Sequence, residues 1–166
     1  MKSIITKIDE AWIRANNPCQ AALDWWDKKE KDPIKILDAL IKANKLDWAN
    51  WYIVRIMEYA DYVAYVVYAA ALVLPDYEAR YPDDIRPRQA IEAARECIAN
   101  PSEKNKTAAA RAAYRVPVVY SAANSDTYRA VNSAAYSTDY SATLKTILTY
   151  GRTLLTETKT KEVKNV

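Results

Sequence analysis

The sequence predicts an all-α protein: a single-domain bundle of several helices around a buried central one. Three observations carry that prediction. Glycine occurs once in 166 residues, at Gly151, while alanine is plentiful; alanine is the best helix former, and tight β-hairpin turns want Gly or Asn at positive φ. Aspartate or asparagine followed by proline recurs as a helix-start signal. Residues 62–74, YVAYVVYAAALVL, carry no charge, Gly or Pro. Apolar residues occupy every side of that run at helical spacing, the pattern of a buried helix. Its 13 residues fall short of the roughly 18–20 that a membrane span needs. A buried strand is the minority alternative, because of the valines.

The elements follow in order. Residues 4–15 suit a short helix with Ile5, Ile8 and Trp12 on one side. Asn17 reads as an N-cap with Pro18 at the first helical position, opening a helix that buries Ala22, Leu23 and Trp26. Asp32-Pro33 repeats the signal, and Ile34, Leu37, Leu40 and Ile41 then fall on one face up to Asn44. Asp47 is placed to cap a fourth helix with a broad face of Trp48, Trp51, Tyr52 and Ile56. The central helix follows Asp61 and is expected to run a little past Pro75 or turn at it.

Tyr81-Pro82-Asp83-Asp84 reads as a turn. The helix after it has an apolar stripe of Ala90, Ile91, Ala94 and Ile98, with Arg88 and Glu92 spaced to pair on its wet face. Asn100-Pro101-Ser102 ends that helix and starts another. Residues 107–142 shift to Ala, Tyr and Ser; small residues allow close helix approach while Tyr fills gaps. Pro117, flanked by Val116, Val118 and Val119, must kink or break this segment. Asn124-Ser125-Asp126 and Ser137-Thr138-Asp139 are candidate N-caps. The last helix carries Leu144, Ile147, Leu148 and Leu155, with Gly151 expected to loosen its end. The domain is expected over 1–156, followed by a flexible polar tail over 157–166. Every Trp lies at or before Trp51 and every Tyr at or after Tyr52.

Composition excludes much chemistry. The chain has no His, so the commonest general acid–base and the commonest zinc ligand are missing. A single Gly cannot build a phosphate-cradling loop. Cys19 and Cys97 have no paired spacing and read as two reduced thiols. No metal site and no cofactor are therefore expected. Residues 1–13 are broken by charges and lack a signal-peptide apolar run, so a cytoplasmic location is expected. Net charge is +3. From Pro101 onward there are 10 Lys+Arg against 5 Asp+Glu, a basic balance far weaker than the stripe of a dedicated DNA binder. Nucleic acid and membrane are not expected partners.

Candidate functional residues are few. Asp24 with Asp27, Glu58 with Asp61, and Asp83 with Asp84 are short-spaced carboxylate pairs; caps and solvated faces explain them better than acid–base work. Arg86 and Arg88 could grip a phosphate or tie the helix start to nearby carboxylates, and the second reading is the stronger. The best binding face combines Arg111, Arg115, Tyr120, Tyr128, Arg129, Asn132 and Tyr136, because Arg and Tyr are enriched in hot spots and stack on bases. Its bland counterpart is an Ala-lined helix interface with Tyr as filler.

The stretches NPCQAALDWWDKK, KLDWANWYIVRIM, YPDDIRPRQAIEAARECIANPSEKNKTAAARAAY and LTYGRTLL, in that order, resemble a family of small phage and bacterial proteins labelled immunity proteins or phage proteins of unassigned function. The resemblance spans about residues 17–155, and RPRQAIEAA is its most specific motif. It implies an all-helical fold and a partner to be neutralised. Members carry nearly pure Ala/Tyr repeats where this chain has YRVPVVYSAANSDTYRAVNS, a departure expected to mark a specialised surface. Three functional readings stay open. The first is a non-catalytic binder, phage- or prophage-encoded, that inhibits or neutralises a bacterial defence or toxin protein. The second is a sequestering protein for a small nucleotide immune signal. The third is a His-free enzyme that uses carboxylates. A Tyr-rich exposed patch would favour the first, a closed pocket of Arg and aromatics the second, and converging carboxylates the third. A homo-oligomer is compatible with each.

Overall fold

The computed structural model describes the backbone of residues 5–114 and 140–164, and side chains up to residue 112 and from 140 to 158. It is all-α, with no strand among the described residues. The helices are α1 (Glu10–Ala15), α2 (Gln20–Trp25), α3 (Pro33–Lys42), α4 (Leu46–Ile56), α5 (Tyr59–Arg80), α6 (Arg86–Ala99), α7 (Glu103–Tyr114) and α8 (Tyr140–Lys164).

The short N-terminal helices begin and end for local reasons, not all of them the expected ones. Residues 5–9 form no helix, and α1 starts only after Asp9, whose carboxylate accepts from the Trp12 N–H at 2.8 Å. Asn17 is not an N-cap. It sits at φ 51°, just past the end of α1, a left-handed position that Asn tolerates. Cys19 then opens α2 without a side-chain bond. Trp26 is buried, while Ala22 and Leu23 are half-buried. Asp32 caps α3 as its sequence suggests, accepting from Ile34 and Lys35 N–H at 2.8 and 3.0 Å, with Pro33 at the first helical position. Asp47 does not cap α4. Lys45 holds that place, and Asp47 lies inside the first turn, where its charge still suits the helix dipole. There it accepts the Tyr140 hydroxyl of α8.

Helix α5 is longer than its charge-free run, beginning at Tyr59 and continuing through Pro75 to Arg80. Its apolar character all round has a direct cause: it packs on both α8 and α6. Tyr65 and Ala69 belong to the main core, with Leu37 of α3, Ile53 of α4, and Leu144, Ile147 and Leu148 of α8. Val67 is buried outside that cluster, as are Ala90, Ile91 and Cys97 of α6. Most of the remaining α5 side chains are half-buried, and Leu72 is exposed. Helices α6 and α7 form a hairpin against α5, joined through Asn100-Pro101-Ser102, with Ser102 Oγ accepting from Asn105 N–H at 3.2 Å.

Helix α8 does not loosen at Gly151; it continues to Lys164. Gly151 is buried at a close crossing. A Cβ there would lie 2.6 Å from the Tyr65 ring and 2.7 Å from Ile53 Cδ1. Tyr65 is fully buried and donates its hydroxyl to Asn50 Oδ1, also fully buried, at 2.8 Å. Burial pushes the Tyr65 phenol far above its usual pKa, so it stays a donor at every ordinary pH. Arg152 grips Asp38 of α3 with two bonds of 2.6 and 2.9 Å, and Tyr150 stacks on Tyr68 of α5 at 4.0 Å. Gly151→Ala gains about 1 kcal/mol of helix propensity but forces the Tyr65 ring aside, an overpacking cost of about 1–3 kcal/mol. The variant is expected to melt a few degrees lower in circular dichroism; an unchanged or raised midpoint would show that the crossing is loose.

Candidate functional site

The corner between α5 and α6 is built by the stretch YEARYPDDIRPR. Pro82 and two aspartates stop α5, and the Asp84 N–H closes a turn onto the Tyr81 carbonyl at 3.1 Å. The Asp84 carboxylate then organises the start of α6. It accepts from the Arg86 backbone N–H at 3.1 Å, from Arg86 Nε and Nη2 at 2.7 and 2.6 Å, and from the Tyr77 hydroxyl at 2.7 Å. Arg88 reaches back one helix to Glu78, with Nε and Nη2 at 2.8 and 2.5 Å from the two carboxylate oxygens. Its partner is thus Glu78 on α5 and not Glu92 on its own helix. Both arginines serve as ties between the turn, α5 and α6, the structural role their sequence favoured. A planar fork meeting a carboxylate two bonds at a time fixes direction as well as distance.

Two large apolar side chains ride on this frame. Tyr81 is 56% exposed and Ile85 57% exposed, on either side of the turn. The Tyr81 ring lies 4.9 Å from that of Tyr77, tilted by 41°. Beside them is an open hollow of about 470 Å³ lined by Arg80, Tyr81, Pro82, Asp83, Asp84 and Arg86. Charges of both signs share it. The Arg86 fork, then the Tyr77 hydroxyl, hold the Asp84 carboxyl well below the usual carboxylate range. Its hydrogen bond to Asp84 raises the Tyr77 phenol in turn.

Of the sequence-predicted binding face, Arg111 is exposed on α7. The short α6–α7 connection makes the hairpin antiparallel, which returns Arg111 toward the end where α6 begins. Arg115, Tyr120, Tyr128, Arg129, Asn132 and Tyr136 lie outside the described residues, as do Pro117 and the two candidate N-caps at 124–126 and 137–139. Members of the carboxylate pairs are engaged in hydrogen bonds of their own. Asp24 accepts from Gln20 at 2.7 Å, Asp27 from the Lys29 N–H at 3.0 Å, and Asp61 from Thr158 of α8 at 2.9 Å. No group of three or more His, Cys, Asp or Glu able to hold a metal occurs among the described residues. No described helix is long and apolar enough to cross a membrane.

The sequence placed a turn at the corner but not the exposed Tyr81–Ile85 pair. The one signal for it was an Ile directly after Pro-Asp-Asp and out of register with the stripe of Ala90, Ile91 and Ala94. Comparison with protein-family models, with curated proteins and with solved structures returns no match.

The depressed Asp84 carboxyl gives a pH dependence with a definite sign. Its unfolded value is about 3.9, and its folded value is lower because Arg86 and Tyr77 favour the charged form. The stabilisation is complete above the unfolded value and is lost as pH falls through the folded one. A carboxyl-carbon NMR titration is expected to put Asp84 below the ordinary Asp midpoint, and Arg86→Ala to raise it. An Asp84 midpoint at or above the ordinary value would remove the frame from solution.

Proposed function

We propose that the protein is a non-catalytic binding protein that engages another protein through the α5–α6 corner. The carrying observation is the pair Tyr81 and Ile85, more than half exposed on a turn held by two doubly bonded ion pairs. Apolar anchors held rigid before contact lose little entropy on binding, and tyrosine and arginine are favoured anchors. Arg80 and Arg86 border the same surface. Arg111 is exposed on α7, which runs antiparallel to α6.

The resemblance to phage and bacterial immunity proteins gives the partner its class: a bacterial toxin or defence protein that this chain inhibits or neutralises. The nucleotide-sequestering reading called for a closed pocket of Arg and aromatic groups. The hollow at the corner has Arg80, Arg86 and Tyr81 but is open, and the carboxylates of Asp83 and Asp84 would repel a phosphate. That geometry favours a protein surface over a nucleotide.

The experiment is neutralisation of a co-expressed toxin or defence protein, followed by affinity measurement with the purified pair. Tyr81→Ala and Ile85→Ala are each expected to weaken binding by at least about 30-fold, the scale of a hot spot of about 2 kcal/mol, while melting like the parent. Full affinity in both variants, with loss on changes elsewhere, would move the contact away from the corner.

A further inference from the structure

Four charged side chains line the hollow at the α5–α6 corner: Arg80, Asp83, Asp84 and Arg86. Two of them are matched to each other. Asp84 Oδ1 accepts from the Arg86 backbone N–H and Nε, and Oδ2 accepts from Arg86 Nη2 and the Tyr77 hydroxyl. A carboxylate has about four acceptor sites, so Asp84 has none left for a visitor. Glu78, just behind on α5, is held by the Arg88 fork. Arg80 and Asp83 differ from these. Both are exposed, and neither side chain makes an ion pair or hydrogen bond among the described residues. The corner therefore offers one unmatched cation and one unmatched anion, next in the chain to the exposed Tyr81 and Ile85.

An occupant that satisfies this surface brings a carboxylate to Arg80, a cation to Asp83 and apolar groups to Tyr81 and Ile85. A ligand of one sign meets one of the two charges and leaves the other covered without a partner, which is costly. A second copy of the chain brings all three groups at once. In a two-fold contact both copies present the same patch, so each residue meets its complement and the complement meets it in return. We infer that the chain self-associates through a two-fold contact at the α5–α6 corner, in which Arg80 of each copy pairs with Asp83 of the other and the Tyr81 and Ile85 side chains pack between them. The patch is only a few residues wide, so the contact belongs to the weak, reversible class. It also has a regulatory consequence. The dimer covers the surface proposed for the partner protein, and self-association competes with partner binding. Only that consequence rests on the partner reading.

The test is sedimentation equilibrium of the purified full-length protein from micromolar to millimolar concentration, with a charge swap between copies. Arg80→Glu makes both unmatched charges negative, and Asp83→Arg makes both positive. Each variant alone is expected to self-associate at least tenfold more weakly than the parent. An equimolar mixture of the two restores both ion pairs and is expected to associate like the parent. Tyr81→Ala should weaken the parent's association and the mixture's alike. A second measurement needs no variant: the NMR signals of Tyr81 and Ile85 in the parent are expected to shift with protein concentration, saturably. A parent that stays monomeric up to millimolar concentration would overturn the inference. So would a mixture that associates no better than its two components, or concentration-dependent shifts confined to other exposed residues such as Tyr59 and Leu72. No partner protein enters these measurements, so their failure is separate from a failure of the partner contact.

Discussion

The architecture depends on how closely α5 and α8 cross. Gly151 is the only residue of the chain that lacks a Cβ, and it stands where a Cβ would enter the Tyr65 ring. Removing that atom lets the Tyr65 ring pack closely against α8, and the phenol reaches Asn50 of α4 at 2.8 Å. One small residue of α8 therefore makes room for a fully buried hydrogen bond between α5 and α4. The flanking contacts of α8 follow from the same register. Tyr150, one residue before Gly151, stacks on Tyr68, and Arg152, one residue after, binds Asp38 of α3. Tyr140, at the start of the helix, meets Asp47. A shift of α8 by one residue would break all four links together. That is why a glycine, a poor helix former, fits inside a 25-residue helix.

The division of aromatic residues along the chain has a physical basis in this arrangement. The long helices α5 and α8 pack on each other with Tyr68 stacked on Tyr150 in the contact, while Tyr65 of α5 and Tyr140 of α8 each send the hydroxyl to a polar group of α4, Asn50 and Asp47. Side chains of the short helices α1 and α2 instead meet those of α4 around a narrow wedge. Indoles fill a wedge better than phenols, since each brings more area and none of them needs a distant acceptor when half-exposed. Trp25 meets Trp48 edge-on at 6.3 Å and Trp12 meets Tyr52 at 6.0 Å. Trp26 is the exception, buried and left with its N–H unpaired among the described residues.

Fold class, the α3 cap, the turn at Pro82 and most core positions were legible because each follows from local chemistry. Scarce glycine, an Asp-Pro start and apolar residues at helical spacing act within a few residues of one another. What misled was also local chemistry, overruled at a distance. Asn17 looks like a cap until the end of α1 requires a left-handed residue. Gly151 looks like a weak point until Tyr65 is placed against it. Arg88 matches Glu92 by spacing, yet Glu78 on the neighbouring helix offers both carboxylate oxygens to its fork. The corner site was half-legible: the charges and the turn could be read, but not the exposure of Tyr81 and Ile85, which depends on where α5 ends relative to α6.

Surface ion pairs contribute little to stability, commonly under about 1 kcal/mol each. The corner nevertheless holds two of them, each doubly bonded, within a few residues. Their physical effect there is on direction. Asp84 fixes Arg86 and Tyr77, Tyr77 backs Tyr81, and Glu78 holds α6 to α5 through Arg88. The frame also neutralises itself, since Arg86 and Arg88 each face a carboxylate. On the proposed reading, a corner with balanced charge and exposed apolar tips would select by shape, with charge acting at the rim through Arg80 and Asp83. Such recognition would carry weak salt dependence and strong sensitivity to the two apolar tips.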